Sequence, residues 1–248
     1  MSALRILICL TIAGFPTELW AQSPSLTDWY SRGIIRQQTV DLMIARQQRR
    51  DYDPYLAKIG RSRIVDKPGP ARGPASASSQ DTVFHTVEPA FVPRQLAARL
   101  GKTPQERQYL EELLTKCLNF YTDTARQKGV PLHDVARALN YYIATNYLVH
   151  AQGTGPTQGQ MEATRNMIRA NLARDENFRR MSDREKQESY EALIVIAGFV
   201  DVGYGSAKRS GNEKLAAQFR EMARHNLETL LGVPVQRIRF TNEGLALN

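Results

Sequence analysis

The sequence predicts a mainly α protein: a single five-helix, bundle-like domain with a small C-terminal β-hairpin, preceded by a flexible N-terminal arm. Three observations carry that expectation. Apolar residues recur at helical spacing in several long stretches after residue 103. Capping boxes and glycines punctuate those stretches where helices start and stop. After Gly232 the period changes from helical to alternating, which is the signature of strands.

The first 21 residues read as an export signal. Arg5 is a lone positive charge, residues 6–15 are nearly all apolar, Pro16 ends the run and Ala21 offers a small residue before Gln22. Leu19 departs from the small residue that such a cleavage site prefers. Cys9 lies inside the apolar run, which argues against a lipid-modified signal. The run is too short to span a bilayer, which takes roughly 20 residues, and no later segment reads as a transmembrane span. The expectation is an exported chain, periplasmic or secreted, starting at Gln22. Cys117 is then its single cysteine, so stability comes from a packed core rather than an internal disulfide.

Residues 22–65 form a basic arm with partial helical character around Trp29, Tyr30 and Ile34. Residues 66–83, "DKPGPARGPASASSQDTV", are rich in Pro, Gly, Ala and Ser and read as a linker. The charge is uneven. Residues 22–102 hold 13 Lys/Arg against 7 Asp/Glu, whereas residues 103–248 hold 19 against 17. A basic arm on a near-neutral domain suits an anionic surface or an envelope partner. No motif for specific nucleic-acid binding accompanies it.

The helical domain spans residues 84–248. It opens on an extended lead-in, with Pro89 and Pro93 as breakers. The first helix starts after Thr103, an N-cap followed by Pro104 at the first helical position and Glu106 to complete a capping box. Leu110, Leu113, Leu114, Cys117 and Tyr121 make its stripe, and Gly129 ends it. The second runs from Leu132 to His150, and the third from Met161 to Arg174. Ser182 and Glu185 form a capping box that opens the fourth, closed by "SGN" at 210–212. The fifth carries Leu215, Phe219, Met222, Leu227 and Leu230, with Gly232 as its stop. In the tail, Gln236, Ile238 and Phe240 alternate with Val235, Arg237 and Arg239, "TNEG" reads as a turn, and Leu245 and Leu247 resume the alternation.

Four segments, "VPRQLAARLG", "SDREKQESYEALIVIAGFV", "LAAQFREMARHNLETLLGVP" and "RIRFTNEGLAL", together resemble an uncharacterised family of exported bacterial proteins, known only as a domain of unknown function. The resemblance covers about residues 84–248. It implies a signal peptide and a helical domain, and it transfers no catalytic residue.

The candidate site centres on "IVIAGFVDVGYG", residues 194–205, where Asp201 interrupts an apolar run. With Tyr190 at zero and about 100° per residue, Asp201 falls near 20° and Tyr204 near 320°, so the carboxylate points with the apolar stripe. The opposite side, with Val195, Phe199 and Val202, is apolar too, which places this helix at the centre of the bundle. A carboxylate there is paired, hydrogen-bonded or protonated. The plainer reading makes Asp201 a structural acid, held by a polar partner from the second helix or from the helix after Thr103. The functional reading makes it a general acid/base of raised pKa, with Tyr147 and His150 as catalytic partners and Asn146, Tyr142 and Tyr204 as binding groups.

Other chemistries lack a motif. No two histidines stand at metal-ligand spacing on one helix face, and no H-E-x-x-H or paired-cysteine pattern occurs. There is no G-x-S-x-G elbow, and "GTGPTQG" lacks the lysine of a phosphate-binding loop. No metal and no cofactor is expected. The function expected is a non-enzymatic exported binding or interaction module of the bacterial cell envelope. The alternatives are an enzyme using Asp201 in a helical pocket and a periplasmic carrier of a small amphipathic ligand.

Overall fold

The computed structural model describes residues 82–153 and 155–247. Within them the chain forms seven helices: α1 Val92–Leu100, α2 Pro104–Gln127, α3 Val135–His150, α4 Gln158–Arg174, α5 Glu176–Arg180, α6 Asp183–Arg209 and α7 Glu213–Leu231. A 3-10 turn, Val235–Arg237, leads into the antiparallel strands β1, Ile238–Thr241, and β2, Gly244–Leu247, paired with Ile238 opposite Leu247 and Phe240 opposite Leu245. The expected export signal, the arm of residues 22–65 and most of the linker lie outside the described residues.

The mainly α architecture and the terminal hairpin match the sequence expectation, with two helices more than the five read there. The first is α1. Pro93 does not break this segment, because it sits in the first turn, where a missing N–H costs nothing. The N-cap residue, Phe91, supplies no side-chain cap. A remote carboxylate does: Oε2 of buried Glu191 on α6 accepts the N–H of Phe91 at 3.0 Å and of Val92 at 2.9 Å. Gln187, one turn earlier, donates to Glu191 Oε1 at 2.8 Å and to the carbonyl of Glu88, and accepts from the N–H of Val87. The second extra helix, α5, is a single short turn. Asp175 both ends α4 and accepts from the N–H groups of Asn177 and Phe178, whose ring is buried.

Element boundaries differ by local capping. α3 starts at Val135 rather than Leu132, because Asp134 is its N-cap and His133 adopts a positive φ of 59°. α4 starts at Gln158 rather than Met161, on the capping box of Thr157 and Gln160. The tail's alternation is strand only from Ile238. The described fold begins with Thr82 and Val83, at the end of the stretch read as a linker. Thr82 is fully buried, its carbonyl accepts from Val135 N–H at 3.0 Å, and Val83 bridges Asp134.

The helix α6 is the axis, about 40 Å long at 1.5 Å per residue. It is long and apolar enough to cross a membrane, contrary to the sequence expectation, but 83% of its apolar window is buried inside the bundle. Its neighbours are α2, α3 and α7, with α1 beside its first half. Close approach depends on two glycines. A Cβ on Gly198 would lie 3.0 Å from Cys117 Cβ of α2, and one on Gly203 would fall inside the Phe219 ring of α7. α4 packs on α3 and carries the hairpin.

Candidate functional site

Helices α2 and α3 both lie along α6. Aromatic side chains of the two meet each other and α6. The rings of Tyr121 and Tyr141 stand 4.9 Å apart, and Tyr121 meets Tyr190 of α6 edge-on at 6.1 Å. Asp201 lies further along α6, half-buried. Its charge is close enough to push up both the Cys117 thiol of α2 and the Tyr141 phenol of α3, in each case after the larger effect of burial. The candidate site is therefore the stretch of α6 around Asp201, with Cys117 of α2 and Tyr141 of α3 within electrostatic range of the carboxylate.

Asp201 has an unusual environment for a carboxylate. Among the described residues no hydrogen bond or ion pair engages it, so the expected partner from α2 or α3 is not found. Loss of hydration lifts its pKa from 3.8 to about 7, and the Arg209 guanidinium partly opposes that rise. Arg209 is two turns further along α6, and its side chain folds back over Gly205, 3.2 Å from where a Cβ would stand. Asp201 thus changes charge near neutral pH. Its thiol neighbour is inert by comparison: burial pushes Cys117 up to about 12.

The other candidates disperse over α3. Tyr142 and Asn146 face α7, where the Tyr142 hydroxyl donates to the Asn226 carbonyl at 3.4 Å and Asn226 Nδ2 donates to Asn146 Oδ1 at 2.8 Å. Tyr147 packs edge-on against Phe240 of the hairpin, with ring centroids 5.0 Å apart. His150 is half-buried near α7, where it contributes least of the groups, after Arg224 above all, that hold Glu221 low. Tyr204 is half-buried on α6 against the core. No hydrogen bond joins Asp201 to Tyr147 or His150 among the described residues. The side chains that Asp201 does influence are Cys117, which the sequence shows as part of an apolar stripe, and Tyr141, which no motif singles out.

A second polar cluster went unread in the sequence. Asp134, the α3 N-cap, is 2% exposed. Its Oδ1 accepts the Thr82 hydroxyl at 2.7 Å and the Ala136 N–H at 3.0 Å, and its Oδ2 accepts from Arg169 Nη2 of α4 at 3.0 Å. Arg137 Nε also lies 3.4 Å from Oδ2. The signal available was an acid directly before an apolar helical run, an N-cap signature. Among the described residues, no group of three His, Cys, Asp or Glu is placed to hold a metal ion.

No curated protein and no solved structure matches this chain. A family model described as "Family of unknown function (DUF6683)" matches residues 2–248, and so takes in residues 2–83, which the sequence resemblance leaves outside. With nearly its whole length matched, the chain belongs to DUF6683, a family of unknown function.

Proposed function

We propose that the protein is a non-enzymatic binding module exported to the cell envelope, with the half-buried Asp201 carboxylate as its recognition centre. One observation carries this reading: a half-buried carboxylate that no hydrogen bond or ion pair satisfies among the described residues, within electrostatic range of Tyr141. Such a group favours a partner that donates hydrogen bonds or positive charge, while a tyrosine ring suits its apolar or cationic face. Export rests on Arg5, the apolar run of residues 6–15 and Ala21. The basic arm supplies a second, less specific attraction to an anionic envelope surface.

The test is capture by immobilised protein from envelope extracts, comparing the wild type with Asp201→Asn and identifying bound proteins and small molecules by mass spectrometry. A ligand retained by the wild type and lost from Asp201→Asn supports the reading. Equal retention by both contradicts it. A retained compound that is converted chemically would instead favour the acid/base enzyme, for which a carboxylate titrating near pH 7 is well placed.

A further inference from the structure

The cluster at the start of α3 holds more positive charge than its one buried acid can satisfy. Three arginines gather there: Arg137 of α3, and Arg165 and Arg169 of α4. Each is largely buried, with side-chain exposures of 20%, 20% and 16%. Both α4 arginines act electrostatically on Arg137, whose guanidinium is destabilised first by burial and next by Arg165. Asp134 has little acceptor capacity left. Its Oδ1 already serves Thr82 and the Ala136 amide, and its Oδ2 serves Arg169. Arg137 Nε approaches Oδ2 at 3.4 Å without hydrogen-bond geometry, and among the described residues Arg165 reaches only Glu162 at 3.0 Å and Asn166 at 3.5 Å, both on its own helix. The Nε atoms of all three arginines are buried without an acceptor. Even with Glu162 counted, three cations face two anions among the described residues, and Glu162 is mostly in water, at 60% exposure.

Buried guanidinium donors without acceptors are costly, and an oxyanion with several lone pairs matches their planar forks. We propose that Arg137, Arg165 and Arg169 form a binding site for a phosphate group, with Asp134 holding Arg169 and Arg137 in place rather than neutralising the site. This site is separate from Asp201 and does not rest on its role. The same chemistry could arrive as free phosphate or as an anionic lipid headgroup, and the experiment below distinguishes them.

The probe is inorganic phosphate, measured by equilibrium dialysis and by thermal melting against chloride at matched ionic strength. Vesicles of phosphatidylglycerol and of phosphatidylcholine form a second arm. Wild type is expected to bind phosphate, or phosphatidylglycerol vesicles in preference to phosphatidylcholine, and to melt a few degrees higher with the bound form. Arg165→Gln should weaken binding about tenfold or more while leaving the fold intact, because Arg165 makes no bond to Asp134. Arg165→Lys keeps the charge without the fork and should fall between the two. Arg180→Gln, which removes an exposed surface pair with Glu176, should bind like wild type. Binding of phosphate alone assigns the free ion, and binding of the anionic vesicles alone assigns the headgroup. The proposal is overturned if wild type responds to phosphate no more than to chloride and shows no vesicle preference, or if Arg165→Gln binds as tightly as wild type.

Discussion

Glu191 and Asp201 stand ten residues apart on one helix, and the two ends of α6 treat their carboxylates in opposite ways. Glu191, 3% exposed, accepts three hydrogen bonds from Phe91, Val92 and Gln187 and fastens α1 to the bundle. Asp201 is less buried, yet no bond satisfies it among the described residues, and it holds its proton up to about pH 7. An acid inside an apolar helix is therefore a structural tie where backbone donors are brought to it. It is a chemically adaptable group where no donor is brought to it. The difference lies in the neighbours: a chain lead-in brings two backbone N–H groups to Glu191, and among the described residues no donor bonds Asp201.

The largest effect is expected at the tied end. Glu191→Ala removes the acceptor for two backbone N–H groups and one amide, at a cost on the order of 3 kcal/mol or more. For a domain of this size that lowers the melting temperature by roughly 6–12 °C, with Glu191→Gln falling between the variant and wild type. If Glu191→Ala and Asp201→Ala melt alike, the contrast between the two ends fails. Next comes Gly203→Ala in the helix core, where the added methyl meets the Phe219 ring. Overpacking of this kind costs about 1–3 kcal/mol, measurable by urea unfolding.

Asp201→Asn is expected to act in the opposite direction. The folded pKa, about 7, exceeds the reference value of 3.8, so the native state binds the proton more tightly than the unfolded chain. That contribution to stability is complete below pH 3.8, declines as pH rises, and is gone above about pH 7. Asparagine imitates the protonated acid at every pH. The variant should therefore melt close to wild type at pH 4 and higher than wild type at pH 8. At about 1.4 kcal/mol per tenfold change in acidity the ceiling is about 4 kcal/mol, and partial exposure reduces it to the order of 1–2 kcal/mol. Melts that coincide at pH 8 would place Asp201 in ordinary solvation. The smallest effect concerns Cys117. Buried and with its thiol pushed up to about 12, it should resist alkylation at pH 8 in the folded protein and react on unfolding.

Legibility in the sequence followed the range of the interactions. The capping boxes at Thr103 and Ser182 and the stop at Gly232 are local, and each marks a real helix end. The hairpin shows through its alternation and turn. By contrast, α1 escapes a local reading because its N-terminus is capped by Glu191, about a hundred residues away. Without that partner, Phe91 and Pro93 look like a break. The position of Asp201 on an apolar face was readable from helical spacing. The absence of a bond among the described residues was not, since it depends on which side chains of α2 and α3 reach that part of α6. Tyr142 and Asn146 share the rich polar stretch of α3, but helical spacing alone does not say that their face meets Asn226 of α7.

The most direct test is the titration of Asp201 itself, followed by carboxyl carbon NMR with Asp201→Asn used to assign the signal. The account predicts a midpoint near pH 7, well apart from the other carboxyl groups. A midpoint near pH 4 would show a solvated or paired carboxylate and contradict it.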